Sequence, residues 1–378
     1  MKQITYVEPG AINQVPRILD RLGVESVFLV HDPVAYAVSG AEAILESIWG
    51  ERVVQRFSDF EVNPRLPDVE EGIRRFRGGS YEAVVAVGGG SALDVAKLVS
   101  VIGVHERPPV DLIRGAEQIT TDGPPLIAIP TTSGTGSEAT HFAVCYVDQA
   151  KYSVAHPYLL PEYALVDPDL THSLPPRQTA ASGLDAFAQA VESFWSVGAT
   201  ESSLEFATEA LQLSLDSLQD AVHRPDAKSR AGMSKAAHLA GKAINISKTT
   251  APHAISYTIT KQFGVPHGMA AALTLAPVLR FNAEVTPADC NDPRGAEHVK
   301  DRLQQLSRLL GCDDLCDAQD KITALVQSVG GPVRLQEVGV TTDQQVELIA
   351  SHVNAERLAN NPRRITAEAL MSLFEGIR

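Results

Sequence analysis

Residues 83–97 read AVVAVGGGSALDVAK and contain, in order, a short apolar run, a glycine turn and a helical pattern. The apolar run, 83–87, is rich in valine and ends at glycine, which predicts a buried strand. Glycines let the backbone approach a ligand closely, and the N-terminus of a helix offers free N–H groups and a positive dipole end. The stretch therefore predicts a pyrophosphate cradle, although its spacing is not GxGxxG and a plain tight turn is the alternative.

Similar apolar runs occur on both sides of this stretch, at 26–30, 126–129 and 164–166. Helical patterns, notably at 66–77 and 92–101, separate several of the runs. Short strands that alternate with helices predict a mostly parallel sheet that helices cover on both faces. We therefore expect an α/β domain in the first part of the chain.

The composition changes at residues 174–177, LPPR. Beyond them the strand patterns give way to long stretches rich in Ala, Leu and Glu, at 202–222, 227–246 and 343–352. Their apolar residues recur with helical periodicity. The sequence therefore predicts two domains, an α/β domain over 1–175 and an all-helical domain over 176–378.

The bulk composition is that of a globular protein with a large core. Of 378 residues, 44 % are hydrophobic and 21 % are charged, and the formal net charge is −14. Such acidity argues against binding to nucleic acid or anionic membranes, which need basic patches. No stretch approaches the ~20 apolar residues of a membrane span. We expect a small-molecule partner, and an anionic one would need local cations.

The expected location is the cytoplasm. The first ten residues lack the basic segment and apolar run of a signal peptide. Four cysteines in so long a chain are too few for a disulfide scaffold and fit a reducing compartment. Cys312 and Cys316 are spaced as a metal clip could be, but no second pair follows, which favours structural or surface roles.

A second polar loop, PTTSGTGSE at 130–138, follows the apolar run 126–129. It places hydroxyls and glycines at the carboxyl end of a strand, where ligands of α/β proteins bind. A solvated loop with a helix cap is the alternative. Two such loops after two different strands favour a bound nucleotide.

Asp32 closes the apolar run 26–30, directly before Pro33. A carboxylate there can accept hydrogen bonds from ribose hydroxyls and would repel a 2′-phosphate, which favours NAD over NADP. An Asx turn before the proline is an equally good interpretation.

Several polar residues of the predicted helical domain suggest a metal site. Asp185 and Gln189 are four positions apart and share a helix face, as do His253 and Tyr257. His267 stands at the predicted start of another helix. One carboxylate and two imidazoles from different helices can converge on a divalent metal and leave a position for substrate. Histidines satisfied inside the core are the alternative.

Taken in order, these segments resemble the iron-containing, or group III, alcohol dehydrogenase family over about residues 5–375. The matching segments are 88–97, 130–138, 166–168, 175–176, 183–192, 253–254 and 266–268. The resemblance implies a dehydroquinate synthase-like fold, with metal and nicotinamide in the cleft between a Rossmann-like α/β dinucleotide-binding domain and a helical domain. It also implies an oxidoreductase acting on a small alcohol or aldehyde, commonly as a homodimer.

The resemblance assigns roles to individual residues. It implies that Asp185, His253 and His267 are metal ligands, for Fe(II) or alternatively Zn. The expected contacts of NADH or NADPH are Asp32, Asn63, Gly89, Gly90, Ser91, Asp94, Thr131, Thr132, Thr135 and Lys151.

Two positions depart from the family pattern. Gln189 stands where most members have a histidine. It is either a weaker fourth metal ligand or does not bind the metal, which leaves three ligands. Tyr257 stands where a second histidine is thought to assist proton transfer. With a reference pKa near ~10, tyrosine is a poor proton acceptor at neutral pH, but it can hold a water or donate. The expected catalytic set is therefore Asp185, His253, His267 and Tyr257.

The segment 247–252, SKTTAP, is a third departure, because small residues are usual there. A lysine and three hydroxyls suit a phosphate-like head group, and a helix-end lysine in water is the alternative. With Gln189 and 192–196, the segment is similar to a subgroup of phosphonoacetaldehyde reductases in phosphonate antibiotic biosynthesis. We therefore expect Ser247, Lys248 and Thr249 to contact a phosphonate-bearing aldehyde.

Three other functions are compatible with these patterns. One is a general short-chain alcohol dehydrogenase of the same family, and another is a dehydroquinate synthase-like lyase that regenerates its cofactor in each turnover. The third is a non-catalytic nucleotide-binding regulator, with Gln189 and Tyr257 as traces of lost catalysis. Consumption of NADH with an added aldehyde separates the reductase from the lyase, and metal analysis with a turnover assay identifies the regulator.

Overall fold

The computed structural model describes residues 3–148, 150–353 and 355–378. The chain forms two compact units, Met1–Leu174 and Pro175–Arg378. Among the described residues, no helix is both long and apolar enough to cross a membrane.

A parallel sheet forms the centre of the first unit. Its strands are β1 (Ile4–Val7), β2 (Ser26–His31), β3 (Val53–Phe57), β4 (Ala83–Gly88), β5 (Leu126–Pro130) and β8 (Tyr163–Val166). They are hydrogen-bonded in the order β1-β8-β5-β4-β2-β3. The strands β6 (Phe142–Val147) and β7 (Ala150–Ala155) pair separately as an antiparallel hairpin. The helices are α1 (Val15–Leu22), α2 (Pro33–Val38), α3 (Ala41–Ile48), α4 (Leu66–Arg77), α5 (Gly90–Ile102) and α6 (Pro109–Ile113).

Both faces of the sheet are buried, which explains the continuous apolar runs of its central strands. Successive side chains of a strand point to opposite faces. Phe28 and Val30 accordingly belong to one apolar core, whereas Val27 and Leu29 belong to another. This arrangement confirms the predicted α/β class.

The register of the sheet brings the ends of β2, β4 and β5 side by side. Gly88 at the end of β4 lies opposite Pro130 at the end of β5, and Val87 lies opposite His31 in β2. The glycine turn, the polar loop 130–138 and Asp32 therefore follow neighbouring parallel strands at one edge of the sheet.

The second unit is helical. Its helices are α7 (Pro176–Trp195), α8 (Glu201–His223), α9 (Ala227–Ser247), α10 (Ala251–Phe263), α11 (His267–Ala283), α12 (Ala296–Leu309), α13 (Leu315–Ser328), α14 (Asp343–Ser351), α15 (Ala355–Ala359) and α16 (Ala367–Glu375). Among the described residues of this unit there is no strand, and one isolated bridge joins Cys290 to Arg363. The all-helical class predicted for this part of the chain is confirmed.

The helix α7 forms the centre of this unit, because its residues from Gly183 to Trp195 are all buried. It packs against α8, α9 and α11. Polar residues inside such a helix must find partners, since an unpaired buried polar group is costly. Asp185, Gln189 and Glu192 are the acidic and amide residues of this buried stretch.

Candidate metal and dinucleotide sites

Asp185, His253 and His267 converge in the second unit. Each offers one ligand atom, and these atoms all lie within 4.8 Å of one another. The Nε2 atom of His253 is 3.1 Å from Oδ1 of Asp185, and the two imidazole rings lie 5.3 Å apart, edge to face. One carboxylate and two imidazoles form a donor set that suits Fe(II) or Zn²⁺.

The packing of α11 against α7 places His267 beside Asp185. His267 is the first residue of α11, and Gly268 follows it. A Cβ added to Gly268 would lie 2.0 Å from the carbonyl oxygen of Ala181 and 2.7 Å from Cβ of Asp185. A glycine is therefore required where the two helices touch, and this requirement explains the sequence Pro266-His267-Gly268.

Glu192, which the sequence analysis did not select, is fully buried and fixes His253. Its Oε1 atom accepts a hydrogen bond from Nδ1 of His253. Its Oε2 atom accepts from the backbone N–H of Thr250 at 2.6 Å and from the Thr250 hydroxyl at 2.8 Å. Such a carboxylate fixes the imidazole orientation and leaves Nε2 as the ligand atom.

Acidic groups dominate the electrostatics of the cluster. Burial alone would lower the pKa of His253, but the charge of Glu192 and hydrogen bonds to Asp185 and Glu192 raise that pKa to about 9. Burial alone would raise the pKa of Asp185, but the hydrogen bond from His253 and the charge of His267 lower it overall. The cluster therefore favours a bound cation.

Gln189 lies one helical turn after Asp185 and is also buried. Its side chain hydrogen-bonds to the Asp185 carboxylate. A carboxylate only accepts, so the amide nitrogen of Gln189 is the donor. This geometry favours a residue that orients Asp185, and direct ligation by Gln189 stays a prediction.

The Tyr257 ring packs against His267. The two rings are stacked 5.7 Å apart, with an angle of 16° between their planes. Burial raises the pKa of Tyr257, and a hydrogen bond and charge from Arg357 act in the opposite direction. The phenol is therefore neutral at neutral pH, and Arg357 is a second residue near the cluster that the sequence analysis missed.

The expected head-group residues lie in the turn between α9 and α10. Lys248 is exposed and has φ 58° and ψ 171°, a region essentially reserved for glycine. Asn360 holds the turn, because its Nδ2 atom donates to the carbonyls of Ser247 at 2.9 Å and Thr249 at 3.0 Å. Strain maintained in this way is typical of functional segments.

Two hydroxyls of this turn have internal partners. Ser247 is buried and its hydroxyl donates to the carbonyl of Ala243 at 3.0 Å; a substrate contact by Ser247 stays a prediction. The Thr250 hydroxyl is likewise used, since it donates to Glu192 and accepts from Trp195. Both hydroxyls hold the turn in place because burial makes internal partners obligatory.

In the first unit, close packing explains two glycines of the turn before α5. Gly88 has φ 150°, and a Cβ there would lie 2.7 Å from Cβ of Ala92. A Cβ at Gly90 would lie 2.7 Å from Cγ2 of Thr135, whereas at Gly89 the closest approach is an ordinary 3.4 Å, to Thr132. The helix α5 starts at Gly90, so its free N–H groups lie at this turn and suit a pyrophosphate.

Other expected cofactor contacts lie around the same turn. The Ser91 hydroxyl accepts from the backbone N–H of Asn63 at 3.1 Å. The Thr131 hydroxyl is buried and has no hydrogen-bond partner within the described ranges, which fits a ligand group that would satisfy it. Asp32 accepts from the N–H of Ala35 at 2.7 Å and so caps α2.

Asp94 and Lys97, which follow this turn in α5, make hydrogen bonds within the first unit. The carboxylate of Asp94 accepts from the Ser137 hydroxyl at 2.7 Å and from the N–H of Val144 at 3.0 Å. Burial raises the pKa of Asp94, and the charges of Lys97 and Lys151 oppose that rise. Lys97 is fully buried and donates to the carbonyls of Thr140 and Phe142, each at 2.9 Å. A cofactor contact by Asp94 or Lys151 stays a prediction.

Comparison with protein families covers nearly the whole chain. The model described as "Iron-containing alcohol dehydrogenase" matches residues 3–168. The model described as "Fe-containing alcohol dehydrogenase family, C-terminal" matches residues 179–377.

Individual relatives and solved structures agree with this result. The chain is 32 % identical to long-chain-alcohol dehydrogenase 1 of Geobacillus thermodenitrificans, over 98 % of this chain and 94 % of that protein. It is 34 % identical to phosphonoacetaldehyde reductase of Streptomyces viridochromogenes, over 82 % of this chain and 80 % of that protein. The structure of sulfoacetaldehyde reductase from Bifidobacterium kashiwanohense in complex with NAD+ matches with a TM-score of 0.89 and 30 % identity. The match covers 100 % of this chain and 99 % of that chain. The chain therefore belongs to the iron-containing alcohol dehydrogenase family of oxidoreductases.

Proposed function

We propose that this protein is a metal-dependent, NAD(P)H-dependent reductase that converts phosphonoacetaldehyde to 2-hydroxyethylphosphonate. The observation that carries the proposal is the convergence of Asp185, His253 and His267 within 4.8 Å. Two of the similar proteins support the substrate class, because phosphonoacetaldehyde and sulfoacetaldehyde are both two-carbon aldehydes with an oxyanion head group.

The helical unit would hold the metal and the aldehyde end of the substrate. Asp185, His253 and His267 would be the ligands, and Glu192 keeps the imidazole of His253 in the required orientation. When bound, a divalent metal polarises the carbonyl as a Lewis acid while the dinucleotide supplies a hydride. The neutral Tyr257 holds a proton on its Oη atom and can donate it, directly or through water, to the product oxygen.

The α/β unit would hold the dinucleotide. The N-terminus of α5 and the backbone of Gly89 and Gly90 would receive the pyrophosphate. The carboxylate of Asp32 would accept from a ribose hydroxyl and repel a 2′-phosphate, so NADH is the expected reductant. The NAD+ found in the sulfoacetaldehyde reductase structure supports this preference.

Lys248 would bind the head group of the substrate. Asn360 donates hydrogen bonds to the carbonyls of the residues before and after Lys248, whose backbone is strained. These bonds fix the backbone position from which the Lys248 side chain extends. The family resemblance and the cysteine content further suggest a homodimer in the cytoplasm, and both stay predictions.

A reductase assay tests the proposal. Metal-reconstituted protein is mixed with phosphonoacetaldehyde, sulfoacetaldehyde or acetaldehyde, each with NADH and with NADPH. We expect stoichiometric NADH consumption and the highest kcat/KM for phosphonoacetaldehyde. A higher kcat/KM for sulfoacetaldehyde would favour a second candidate function, that of a sulfoacetaldehyde reductase. The similar structure of such a reductase with NAD+ supports this candidate. Equal values for acetaldehyde would overturn head-group recognition and favour a general alcohol dehydrogenase.

A variant at Lys248 sharpens the assay. Lys248→Ala should raise the KM for phosphonoacetaldehyde far more than the KM for acetaldehyde, because only the phosphonate loses a charged partner. Equal changes for both aldehydes would contradict a head-group role for Lys248.

A further inference from the structure

We propose that Asn360 is a positioning residue, which sets the conformation of Lys248 and thereby the place of the substrate head group relative to the metal ligands. The inference rests on the proposed function and deepens it by naming the residue on which head-group recognition depends. Asn360 directly follows α15 (Ala355–Ala359) and belongs to no helix or strand.

The side chain of Asn360 holds both ends of a two-residue unit, Lys248 and Thr249. Its Nδ2 atom donates to the carbonyl of Ser247 at 2.9 Å, in the peptide before Lys248, and to the carbonyl of Thr249 at 3.0 Å, in the peptide after Thr249. The carbonyl of Lys248, which lies between them, accepts from the Ser247 hydroxyl at 3.2 Å. The backbone angles of Lys248, φ 58° and ψ 171°, persist only where such contacts hold them.

Asn360 is itself held in one orientation. Its Oδ1 atom accepts from the backbone N–H of Gly198 at 3.0 Å, and its backbone carbonyl accepts from the N–H of Val197 at 3.1 Å. A backbone N–H only donates and a carbonyl only accepts, so the amide group of Asn360 cannot be reversed. The next residue, Asn361, is fully buried, and its Nδ2 atom donates to Oδ1 of Asn282 in α11 at 2.8 Å. The clamp on the turn is therefore anchored in the core of the helical unit.

The peptide 249–250 connects this clamp to a candidate metal ligand. Its carbonyl accepts from Asn360, and its N–H donates to Oε2 of Glu192 at 2.6 Å. The carbonyl and the N–H of a trans peptide point in opposite directions, so the peptide lies between Asn360 and Glu192. Glu192 also accepts from Nδ1 of His253. A continuous chain of hydrogen bonds thus fixes the turn that carries Lys248 relative to His253.

A double-mutant cycle tests the inference. Binding of ethylphosphonate, a head-group analogue without a carbonyl, to metal-loaded protein is measured by calorimetry for the wild type, Asn360→Ala, Lys248→Ala and the double variant. We expect Asn360→Ala to weaken binding about tenfold when Lys248 is present, but only about twofold or less in the Lys248→Ala background, because an absent lysine cannot be misplaced. Equal losses in both backgrounds would show that Asn360 only supports the fold, and would overturn the inference.

Two further variants make the cycle decisive. Asn291→Ala is the matched control, because Nδ2 of Asn291 donates to the carbonyl of Asn361 at 3.0 Å. It loses a hydrogen bond to the same segment but none to the turn, and should bind ethylphosphonate as the wild type does. Should Asn360→Ala fold poorly, the cycle is repeated with Gly198→Ala, whose added Cβ would lie 2.7 Å from the carbonyl oxygen of Ser247 and displace the turn. The same two outcomes then decide.

Steady-state kinetics separate failure of the inference from failure of the proposed function. In Asn360→Ala we expect the KM for phosphonoacetaldehyde to rise about tenfold, with a smaller change for acetaldehyde, which has no head group. Metal content should stay that of the wild type, because Glu192 keeps its own bond to His253. Equal losses for both aldehydes would overturn the inference alone. If the wild type does not reduce phosphonoacetaldehyde and Lys248→Ala binds ethylphosphonate as the wild type does, the proposed function fails and the inference fails with it.

Discussion

The Nε2 atom of His253 lies 3.1 Å from Oδ1 of Asp185, although 68 positions separate the two residues in the chain. Asp185 belongs to the buried helix α7 and His253 to the first turns of α10. Their meeting is a product of helix packing, and Glu192 fixes it from within α7. The candidate metal site is therefore built into the core of the helical unit, and its properties should respond to substitutions there.

Glu192 should control metal affinity without being a ligand. In Glu192→Gln, one carboxylate oxygen becomes an amide nitrogen, so the bonds to His253 and to Thr250 cannot both persist. Removing such a supporting carboxylate typically weakens metal binding 10–100-fold, and we expect a loss of about that size in a chelator competition assay. The exposed Glu205→Gln on α8 is the control. Wild-type affinity in Glu192→Gln would show that the orientation of His253 does not depend on this bond.

The two glycines of the turn should differ in their tolerance of alanine. A Cβ at Gly90 would come within 2.7 Å of Thr135, but at Gly89 the closest contact is 3.4 Å. Gly90→Ala must therefore displace the Thr135 side chain in the polar loop, and we expect the Kd for NADH to rise about tenfold or more, the equivalent of about 1.4 kcal/mol. Gly89→Ala, whose added Cβ meets no protein atom closer than 3.4 Å, should raise the Kd less. Similar affinities for both variants, measured by fluorescence titration, would argue against a cradle at this turn.

Asp32 should set the choice between NADH and NADPH. Asp32→Ser removes the negative charge but keeps a side-chain oxygen that can cap α2. We expect kcat/KM for NADPH to rise relative to NADH, with little change in thermal stability. Asp32→Ala should change the preference similarly but also lose the cap, at a cost of about 1 kcal/mol. If both variants keep the cofactor preference of the wild type, Asp32 serves α2 alone.

Lys97 should give the folding stability a distinct pH dependence. Burial lowers the pKa of Lys97 from 10.5 to about 8, against the opposing charges of Asp94 and Glu138. Because the unfolded chain then binds more protons between pH 8 and 10.5, the contribution of Lys97 to stability rises with pH in that window. The slope is at most about 1.4 kcal/mol per pH unit.

Urea unfolding of the wild type and of Lys97→Met between pH 7 and 10.5 measures this contribution. The free energy of unfolding of the wild type should rise relative to that of the variant above pH 8. A constant difference over the whole range would mean that Lys97 keeps its ordinary pKa in the folded protein.

Much of the fold could be predicted because the central strands are continuous apolar runs. The helix predicted at 66–77 is α4 (Leu66–Arg77), and the strand predicted at 83–87 is β4 with one more residue. The strands β1 and β3 were missed because they lie at the edges of the sheet. Edge strands bury fewer side chains, so their sequences, ITYV and VVQRF, lack a clear apolar signal.

The candidate site could be predicted only in part. Asp185, His253 and His267 could be selected from the sequence for two reasons. Asp185 and His253 each lie four positions before a second polar residue on the same helix face, and the family resemblance covers all three. Glu192, the partner of His253, could have been suspected from the sequence. It lies seven positions, or two helical turns, after Asp185 on the same helix face. Arg357 and Asn360 gave no local signal, because their contacts with Tyr257 and with the Lys248 turn depend on how distant segments pack.

Metal content tests the central claim most directly. Wild type, Asp185→Asn, His267→Ala and the surface control Lys261→Gln are reconstituted with Fe(II) or Zn²⁺, freed of excess ion and analysed by mass spectrometry, with circular dichroism to verify folding. We predict about one ion per chain in the wild type and the control, and only a small fraction of that in the two cluster variants. Folded Asp185→Asn and His267→Ala proteins that retain a full complement of metal would contradict the account.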